Sequence, residues 1–241
     1  MSDASKQTIV LVHGAHAESS SWNGSIPALR RTGHAVIAVA NPLRRLECDT
    51  QHLRDVLAGI DGPVVLAGHS YGGFVMSHAA DGNPDVVALV FIASFLAEPD
   101  ENPVQLVEKL PGARLGEAAQ PATFHLPNGE EAVELIIDRA RYHELFAGDV
   151  DAEIAEQMAV TQRPFALSAF ETPATRAAWR ATESWSLAAT QDPAIPTELS
   201  RFMASRADAH LVEIDASHAV TVSQPEAVTG LILEAAHATA R

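Results

Sequence analysis

One serine in the sequence has the neighbours that a nucleophile requires. Ser70 lies in the run Gly68-His69-Ser70-Tyr71-Gly72, which fits the pattern G-x-S-x-G. The apolar residues 64–67 before it indicate a buried strand, and residues 74–80 after it indicate a helix. Such a connection exposes the serine hydroxyl above a sheet edge, beside the free N–H groups of a helix N-terminus. The pattern predicts a nucleophile, although a glycine- and serine-rich loop can match it by chance.

The two outer glycines of this run have an expected role in the turn. A serine at such a sharp turn has a strained backbone, and side chains two residues before and after it would collide with it. Gly68 and Gly72 are expected to remove those collisions.

A serine hydroxyl becomes a nucleophile when an imidazole accepts its proton and a carboxylate orients that imidazole. In a parallel sheet we expect these groups in loops after the strand ends. His218 follows a strand predicted at 210–214, and Asp192 follows one predicted at 185–190. Asp215 is the alternative acid, but from the same loop its carboxylate reaches the far nitrogen of His218 with difficulty. We therefore predict a triad of Ser70, His218 and Asp192.

The negative charge that forms during attack on a carbonyl needs two backbone N–H donors. We predict the amide of Tyr71, directly after the nucleophile, and the amide of Ala15, in the loop after the first strand. His13 is expected to anchor that loop through hydrogen bonds. We assign His69 no catalytic role and expect it to be a packed neighbour of the nucleophile.

The apolar runs of the chain predict an α/β fold. Strands are expected at 8–12, 34–40, 64–67, 86–92, 185–190 and 210–214, with helices between them, which indicates a mainly parallel sheet covered on both faces. Residues 95–183 contain no convincing strand, and apolar positions 133, 136, 137 and 140 have helical spacing. We predict one domain with a core of residues 1–94 and 184–241 and a helical cap of about 95–183.

Two finer expectations concern the cap and the last helix. Nine cap side chains could line the underside of the cap, although packing within the cap is the favoured interpretation because aromatic residues at helical spacing are usually core. They are Leu106, Phe124, Tyr142, Leu145, Phe146, Met158, Phe165, Phe170 and Trp179. Ser223 and Glu226 have the spacing of a capping box for the last helix.

Composition excludes several classes of partner. The 241 residues carry a formal net charge of −15, which argues against binding to nucleic acid or to an anionic membrane surface. The single cysteine, Cys48, excludes an intrachain disulfide and is expected to have no catalytic role.

No signal peptide or membrane span is predicted, so we expect a cytoplasmic protein. The absence of metal-binding and nucleotide-binding motifs predicts no metal and no cofactor.

Taken together, these motifs resemble the α/β-hydrolases, and among them the group of plant methyl esterases, plant hydroxynitrile lyases and their bacterial esterase relatives. The resemblance rests on His13-Gly14-Ala15, residues 68–73, Thr190-Gln191-Asp192 with Ile195-Pro196, and Ser217-His218 with Pro225-Glu226. It implies the α/β-hydrolase fold, with the second strand outside the first. It also implies the same roles for Ser70, His218 and Asp192 and for the amides of Ala15 and Tyr71.

The expected function is that of a serine hydrolase cleaving a small, largely apolar carboxylic ester through an acyl-enzyme. The same triad acting on a lactone, a thioester or a C–C bond stays open, as does a non-catalytic ligand-binding protein on this scaffold. Hydroxynitrile lyases are similar but carry a threonine and a lysine where this chain has Gly14 and Ala219, which disfavours cyanohydrin cleavage. A small-molecule substrate is the one partner expected, and a homodimer is left open.

Overall fold

The computed structural model describes residues 6–240 of the chain. The strands of this part are Thr8–Val12 (β1), Val36–Val39 (β2), Val64–His69 (β3), Val86–Ile92 (β4), Ala119–His125 (β5), Glu131–Ile137 (β6), Phe165–Ala166 (β7), Ser184–Ala189 (β8) and His210–Ile214 (β9). The α-helices are Ile26–Arg31 (α1), Leu46–Ala58 (α2), Tyr71–Ala79 (α3), Pro103–Lys109 (α4), Arg139–Phe146 (α5), Ala152–Thr161 (α6), Leu167–Glu171 (α7), Thr197–Arg206 (α8), Val220–Ser223 (α9) and Pro225–Ala238 (α10).

Six strands form one sheet in the order β2-β1-β3-β4-β8-β9. Every neighbouring pair in it is parallel. The predicted α/β fold with a six-stranded parallel sheet is therefore confirmed, including the position of the second strand outside the first. Parallel alignment brings the carboxyl ends of all six strands to one edge of the sheet, where their loops meet.

Both faces of this sheet are buried, which explains why its central strands are continuous apolar runs. In β1, Val10 and Val12 pack on the side of α2, α3 and α8, whereas Ile9 and Leu11 pack on the side of α1 and α10. Alternate residues of a strand point to opposite faces, so a two-sided core requires apolar residues at successive positions. None of the helices in residues 6–240 is long and apolar enough to span a bilayer.

The tight connection from β3 to α3 depends on glycines that allow the backbone to approach other segments closely. A Cβ atom at Gly72 would lie 2.2 Å from the carbonyl oxygen of Val12, and one at Gly68 would lie 2.5 Å from the backbone of Gly73. The nearest atoms in both cases belong to these backbone segments and not to Ser70, with which the collision was expected. They allow α3 to start directly against β1, three residues before the predicted start at Phe74.

The segment between β4 and β8, residues 95–183, contains a sheet that the sequence analysis missed. β5, β6 and β7 form an antiparallel three-stranded sheet, so the expectation of a mostly helical cap with no convincing strand is wrong about the strands, although α4 to α7 supply the predicted helices. The apolar residues Val133, Leu135 and Ile137 alternate along β6, and Pro127-Asn128-Gly129 forms its hairpin turn with β5. The apolar positions 133, 136 and 137 have the spacing of a helix face, but the apolar positions 133, 135 and 137 also fit the alternation of a strand.

The predicted capping box of the last helix is also wrong. Ser223 ends the short helix α9, its hydroxyl is buried without a partner, and α10 begins at Pro225 with Gln224 as its N-cap. Proline is favoured in the first turn of a helix, where its missing N–H has no acceptor to bind. Pro225 therefore sets the start of α10.

The glycine contacts predict a large difference between two alanine substitutions. Gly72→Ala places a methyl group against the backbone of β1, so we expect a loss of about 3 kcal/mol or more in the free energy of unfolding. Gly230→Ala is the matched control because it lies in α10, where an added Cβ atom would have nothing within 4 Å. We expect that control to be neutral or stabilising by about 0.5–1 kcal/mol. Urea unfolding measures both, and equal effects would contradict the close approach of α3 to β1.

Candidate active site

Three side chains from three strand-end loops meet at the carboxyl edge of the main sheet. His218 Nδ1 lies 2.8 Å from Asp192 Oδ2, and His218 Nε2 lies 2.9 Å from Ser70 Oγ. A carboxylate only accepts hydrogen bonds, so Nδ1 carries the proton and Nε2 offers its lone pair to the serine hydroxyl. All three side chains are buried. The structure thus brings together the three residues of the predicted triad.

The loop after β8 fixes the orientation of the Asp192 carboxylate. Its Oδ1 accepts hydrogen bonds from the amides of Ala194 and Ile195, at 2.7 and 3.1 Å, which leaves Oδ2 for His218. Asp215, the alternative acid, is exposed and accepts a hydrogen bond from Thr190 Oγ1 instead. The geometry therefore selects Asp192 over Asp215 as the partner of the imidazole.

Both predicted oxyanion donors are free. Within residues 6–240, neither the amide of Ala15 nor that of Tyr71 donates to a protein acceptor. Tyr71 is the first residue of α3, so its N–H is one of those at a helix start that lack an intrahelical acceptor. Ala15 lies in the loop after β1 and lines the same cavity as Ser70. The two N–H groups are available to a ligand beside the serine.

Ser70 has a backbone conformation that is unusual for a residue with a side chain, at φ 50° and ψ −124°. Such strain costs about 1–3 kcal/mol and persists when surrounding contacts enforce it. Here the amide of Ser70 donates to the carbonyl of Ile92, and the hydroxyl of Ser94 donates to the carbonyl of Ser70 at 2.6 Å. Ser94 was missed by the sequence analysis, because a serine after a strand has no motif of its own.

Two further histidines brace the loops of this site, as their hydrogen bonds show. His13 Nδ1 donates to the carbonyl of Gly14 and Nε2 accepts from the amide of Asn41, which is the anchoring that the sequence analysis expected. His69 packs against the ring of His218, and its Nε2 donates to the backbone carbonyl of His218. Burial lowers the pKa of His13 to about 4 and the pKa of His69 well below its ordinary value.

The residue after the nucleophile is held by a buried carboxyl group. Tyr71 Oη donates to Asp49 Oδ2 at 2.8 Å, and the amide of Arg44 donates to Oδ1. Burial raises the pKa of Asp49 above its usual range. Asp49 therefore links α2 to the first residue of α3 and helps to fix the turn that carries Ser70. No motif in the sequence signals this role.

Ser70 and His218 open onto a cavity of about 180 Å³ between the sheet edge and the cap. Among residues 6–240, His16 is the one other lining residue with an ionisable side chain. The apolar residues that line the cavity are Phe95, Val104, Val107, Leu115, Leu135, Ile137, Phe146, Leu167, Phe170 and Ile195, together with alanine residues. Of the nine cap residues considered from the sequence, Phe146 and Phe170 line this cavity. The favoured interpretation of packing therefore describes most of that set.

Metal ligands are not grouped in the part of the chain that the structure describes. In residues 6–240 no cluster of three or more histidine, cysteine, aspartate or glutamate side chains has the arrangement of a metal site. Cys48, the single cysteine, is exposed.

The chain belongs to the alpha/beta hydrolase family, whose profile matches residues 9–231. A pyrethroid hydrolase of Sphingobium wenxiniae is 30% identical over 253 residues, which cover 96% of this chain and 88% of that protein. Methylesterase 8 of Arabidopsis thaliana is 32% identical over 120 residues. The chain spans only 43% of the length of that methylesterase. A carbendazim-hydrolysing esterase of Nocardioides is also among the relatives. Other relatives are named norfluorocurarine synthases, from Strychnos.

Solved structures have the same fold. The crystal structure of polyneuridine aldehyde esterase superposes with a TM-score of 0.83 at 23% identity, over 95% of this chain and 98% of that one. A pyrethroid hydrolase from Sphingobium faniae superposes with a TM-score of 0.78 at 26% identity, over 96% and 98% of the two chains. The similarity to polyneuridine aldehyde esterase, at 23% identity, shows the fold alone.

The buried histidines predict a loss of stability in mild acid. Burial holds the pKa of His13 at about 4 and the pKa of His16 at about 3, whereas the unfolded chain takes up these protons near pH 6.5. The contribution of the two neutral histidines to the free energy of unfolding is complete above pH 6.5. It falls as the pH decreases towards their pKa values in the folded protein. We expect urea unfolding to show a decrease of about 1.2 kcal/mol from each of these two residues between pH 6 and 5.

One variant checks the origin of this slope. His16→Phe removes one of the buried histidines whose pKa is lowered, so the decrease between pH 6 and 5 should become shallower than in the wild type. An unfolding free energy that is level over this range in the wild-type protein would contradict the buried neutral state of these histidines.

Proposed function

We propose that this chain is a serine esterase that cleaves a small, largely apolar carboxylic ester. The observation that carries the proposal is the continuous hydrogen-bonded chain from Asp192 through His218 to Ser70, with distances of 2.8 and 2.9 Å. A hydroxyl, an imidazole in the correct tautomer and a carboxylate in this order are what nucleophilic attack by serine requires.

In the proposed reaction, Ser70 Oγ attacks the ester carbonyl while His218 Nε2 accepts the hydroxyl proton. The carboxylate of Asp192 stabilises the imidazolium that forms. The amides of Ala15 and Tyr71 bind the oxyanion, a contact worth about 10²–10³ in rate for each donor in comparable sites. His218 then returns the proton to the leaving alcohol, and water hydrolyses the acyl-enzyme by the same sequence of proton transfers.

The size and lining of the cavity support the substrate class. Its volume of about 180 Å³ is well below the roughly 300–1,000 Å³ of sites for drug-sized ligands. Aliphatic and aromatic side chains form most of its wall, so a charged acyl or alcohol group would lose its hydration without compensation. The names of the relatives, a methylesterase and a pyrethroid hydrolase, also support hydrolysis of an ester.

The first test concerns the nucleophile. The purified protein should hydrolyse short p-nitrophenyl esters and should be labelled at Ser70 by a fluorophosphonate probe. Ser70→Ala should lose about 10⁴-fold or more in kcat while it keeps the wild-type circular dichroism spectrum. A folded Ser70→Ala protein with substantial activity would refute the mechanism, and a wild-type serine that resists the probe would favour a ligand-binding protein.

The second test uses the two aspartates that the sequence analysis compared. Asp192→Asn should reduce kcat by about 10⁴-fold, because an amide at this position favours the wrong tautomer of His218. Asp215→Asn is the matched control, since this side chain is exposed and contacts Thr190 rather than the imidazole. The control should stay within about twofold of wild type. Comparable losses in both variants would contradict the role of Asp192.

A panel of substrates distinguishes the ester from the other bonds that the same triad could cleave. The panel contains an ester, a thioester, a lactone and a β-diketone of matched carbon number, each assayed as kcat/KM. Preference for the ester supports the proposal. Preference for the β-diketone would assign C–C bond hydrolysis to this site instead.

A further inference from the structure

The cavity contains one buried polar side chain that the proposed mechanism does not use. His16 follows Ala15 in the loop after β1 and lines the cavity together with Ser70 and His218. It is 4% exposed, and its backbone has a positive φ of 56°, a conformation in which histidine is tolerated better than most residues.

Within the part of the chain that the structure describes, the ring of His16 has no hydrogen-bond partner. Neither ring nitrogen bonds to another group in residues 6–240, and Nδ1 is fully enclosed while Nε2 is not. The other buried histidines, His13, His69, His78 and His218, each have a partner for at least one nitrogen. A buried polar group without a partner costs about 1–3 kcal/mol, so its retention at this position requires an explanation.

Contacts from the cap hold the residue in place. Tyr142 Oη donates a hydrogen bond of 2.9 Å to the backbone carbonyl of His16, and the ring of Phe165 meets the imidazole edge-on with 6.0 Å between centroids. These contacts restrain the backbone and one edge of the ring before a ligand enters, which lowers the entropic cost of binding to it.

The protonation of the ring decides what His16 can recognise. Burial lowers the pKa of His16 to about 3, so the imidazole is neutral at pH 7 and carries a single N–H. A buried N–H without an acceptor is rarer in proteins than a buried acceptor without a donor. The proton therefore belongs on Nε2, the nitrogen that is not enclosed, and His16 offers a hydrogen-bond donor.

We propose that His16 is a specificity-determining residue that donates a hydrogen bond from Nε2 to an oxygen of the substrate near the scissile ester. This inference rests on the proposed function and narrows its substrate class. The preferred substrates are small esters that are apolar except for one further acceptor oxygen, such as an ether or carbonyl oxygen, in the acyl or the alcohol part. Because the remaining wall of the cavity is largely apolar, such an oxygen would find its hydrogen bond at His16.

The test compares esters that differ by the exchange of one CH₂ group for oxygen. p-Nitrophenyl methoxyacetate against p-nitrophenyl butanoate examines the acyl part, and 2-methoxyethyl acetate against butyl acetate examines the alcohol part. The measured quantity is the ratio of kcat/KM for the oxygen-containing ester to that for its hydrocarbon partner. Differences in intrinsic reactivity cancel when this ratio is compared between wild type and variant.

We expect His16→Phe to lower the ratio by about tenfold for one of the two pairs, because it removes the donor and keeps a ring of similar shape. The pair that responds identifies the part of the substrate that His16 contacts. His16→Gln carries an amide N–H at a similar reach and should keep the ratio within about threefold of wild type. His237→Phe, at an exposed position of α10, is the control and should have the wild-type ratio.

The outcomes separate this inference from the proposed function. An active wild-type protein whose ratios are unchanged in folded His16→Phe for both pairs would overturn the role of His16 and leave the esterase intact. A wild-type protein that cleaves none of the four esters and resists the fluorophosphonate would overturn the proposed function. A lower kcat/KM ratio in His16→Phe together with a ratio close to wild type in His16→Gln supports a hydrogen bond. A purely structural role would affect both members of a matched ester pair equally.

Discussion

The strained backbone of Ser70 is the constraint on which the rest of the site depends. A positive φ at a residue with a side chain persists only where neighbouring segments leave no lower-energy alternative. Here β1 approaches so closely that only glycine fits at position 72, the last residue of β4 contributes the carbonyl of Ile92, and the loop after β4 contributes the hydroxyl of Ser94. The turn is thus held by contacts from strands on both sides of β3. Its consequence is a hydroxyl that lies at the start of a helix with an unpaired N–H beside it.

The buried histidines around this turn share a residue type but differ in function, and their hydrogen-bond partners make the difference. His13 and His69 donate to backbone carbonyls and thereby hold the loops that carry Ala15 and His218. His218 alone of these three contacts a carboxylate, which compensates a positive charge when one forms. The surroundings of each imidazole, rather than the residue type, thus distinguish His218, which lies beside a carboxylate, from His13 and His69, which stay neutral and hold loops in place.

The cap is connected to the site through more than the wall of the cavity. The carbonyl of Phe146 accepts hydrogen bonds from Ser217 Oγ and from the amide of Ala219, and its ring meets that of His218 with 5.1 Å between centroids. Tyr142, from the same helix α5, contacts the loop of His16. One cap helix therefore supports both the loop of the imidazole and the loop of the first predicted oxyanion donor.

Sequence alone was sufficient for the features that depend on local pattern. Short, mainly apolar segments indicated all six strands of the main sheet, although Ser186 and Glu213 interrupt two of them. The order of Ser70, Asp192 and His218 on strand-end loops identified three side chains that the fold brings together. Local pattern failed in the cap, where the spacing of 133, 136 and 137 fits a helix although a hairpin partner makes β6 a strand. It also carried no sign of the roles of Ser94, Asp49 or His16. Those roles arise from contacts between segments distant in sequence, and such contacts exist only once the chain has folded.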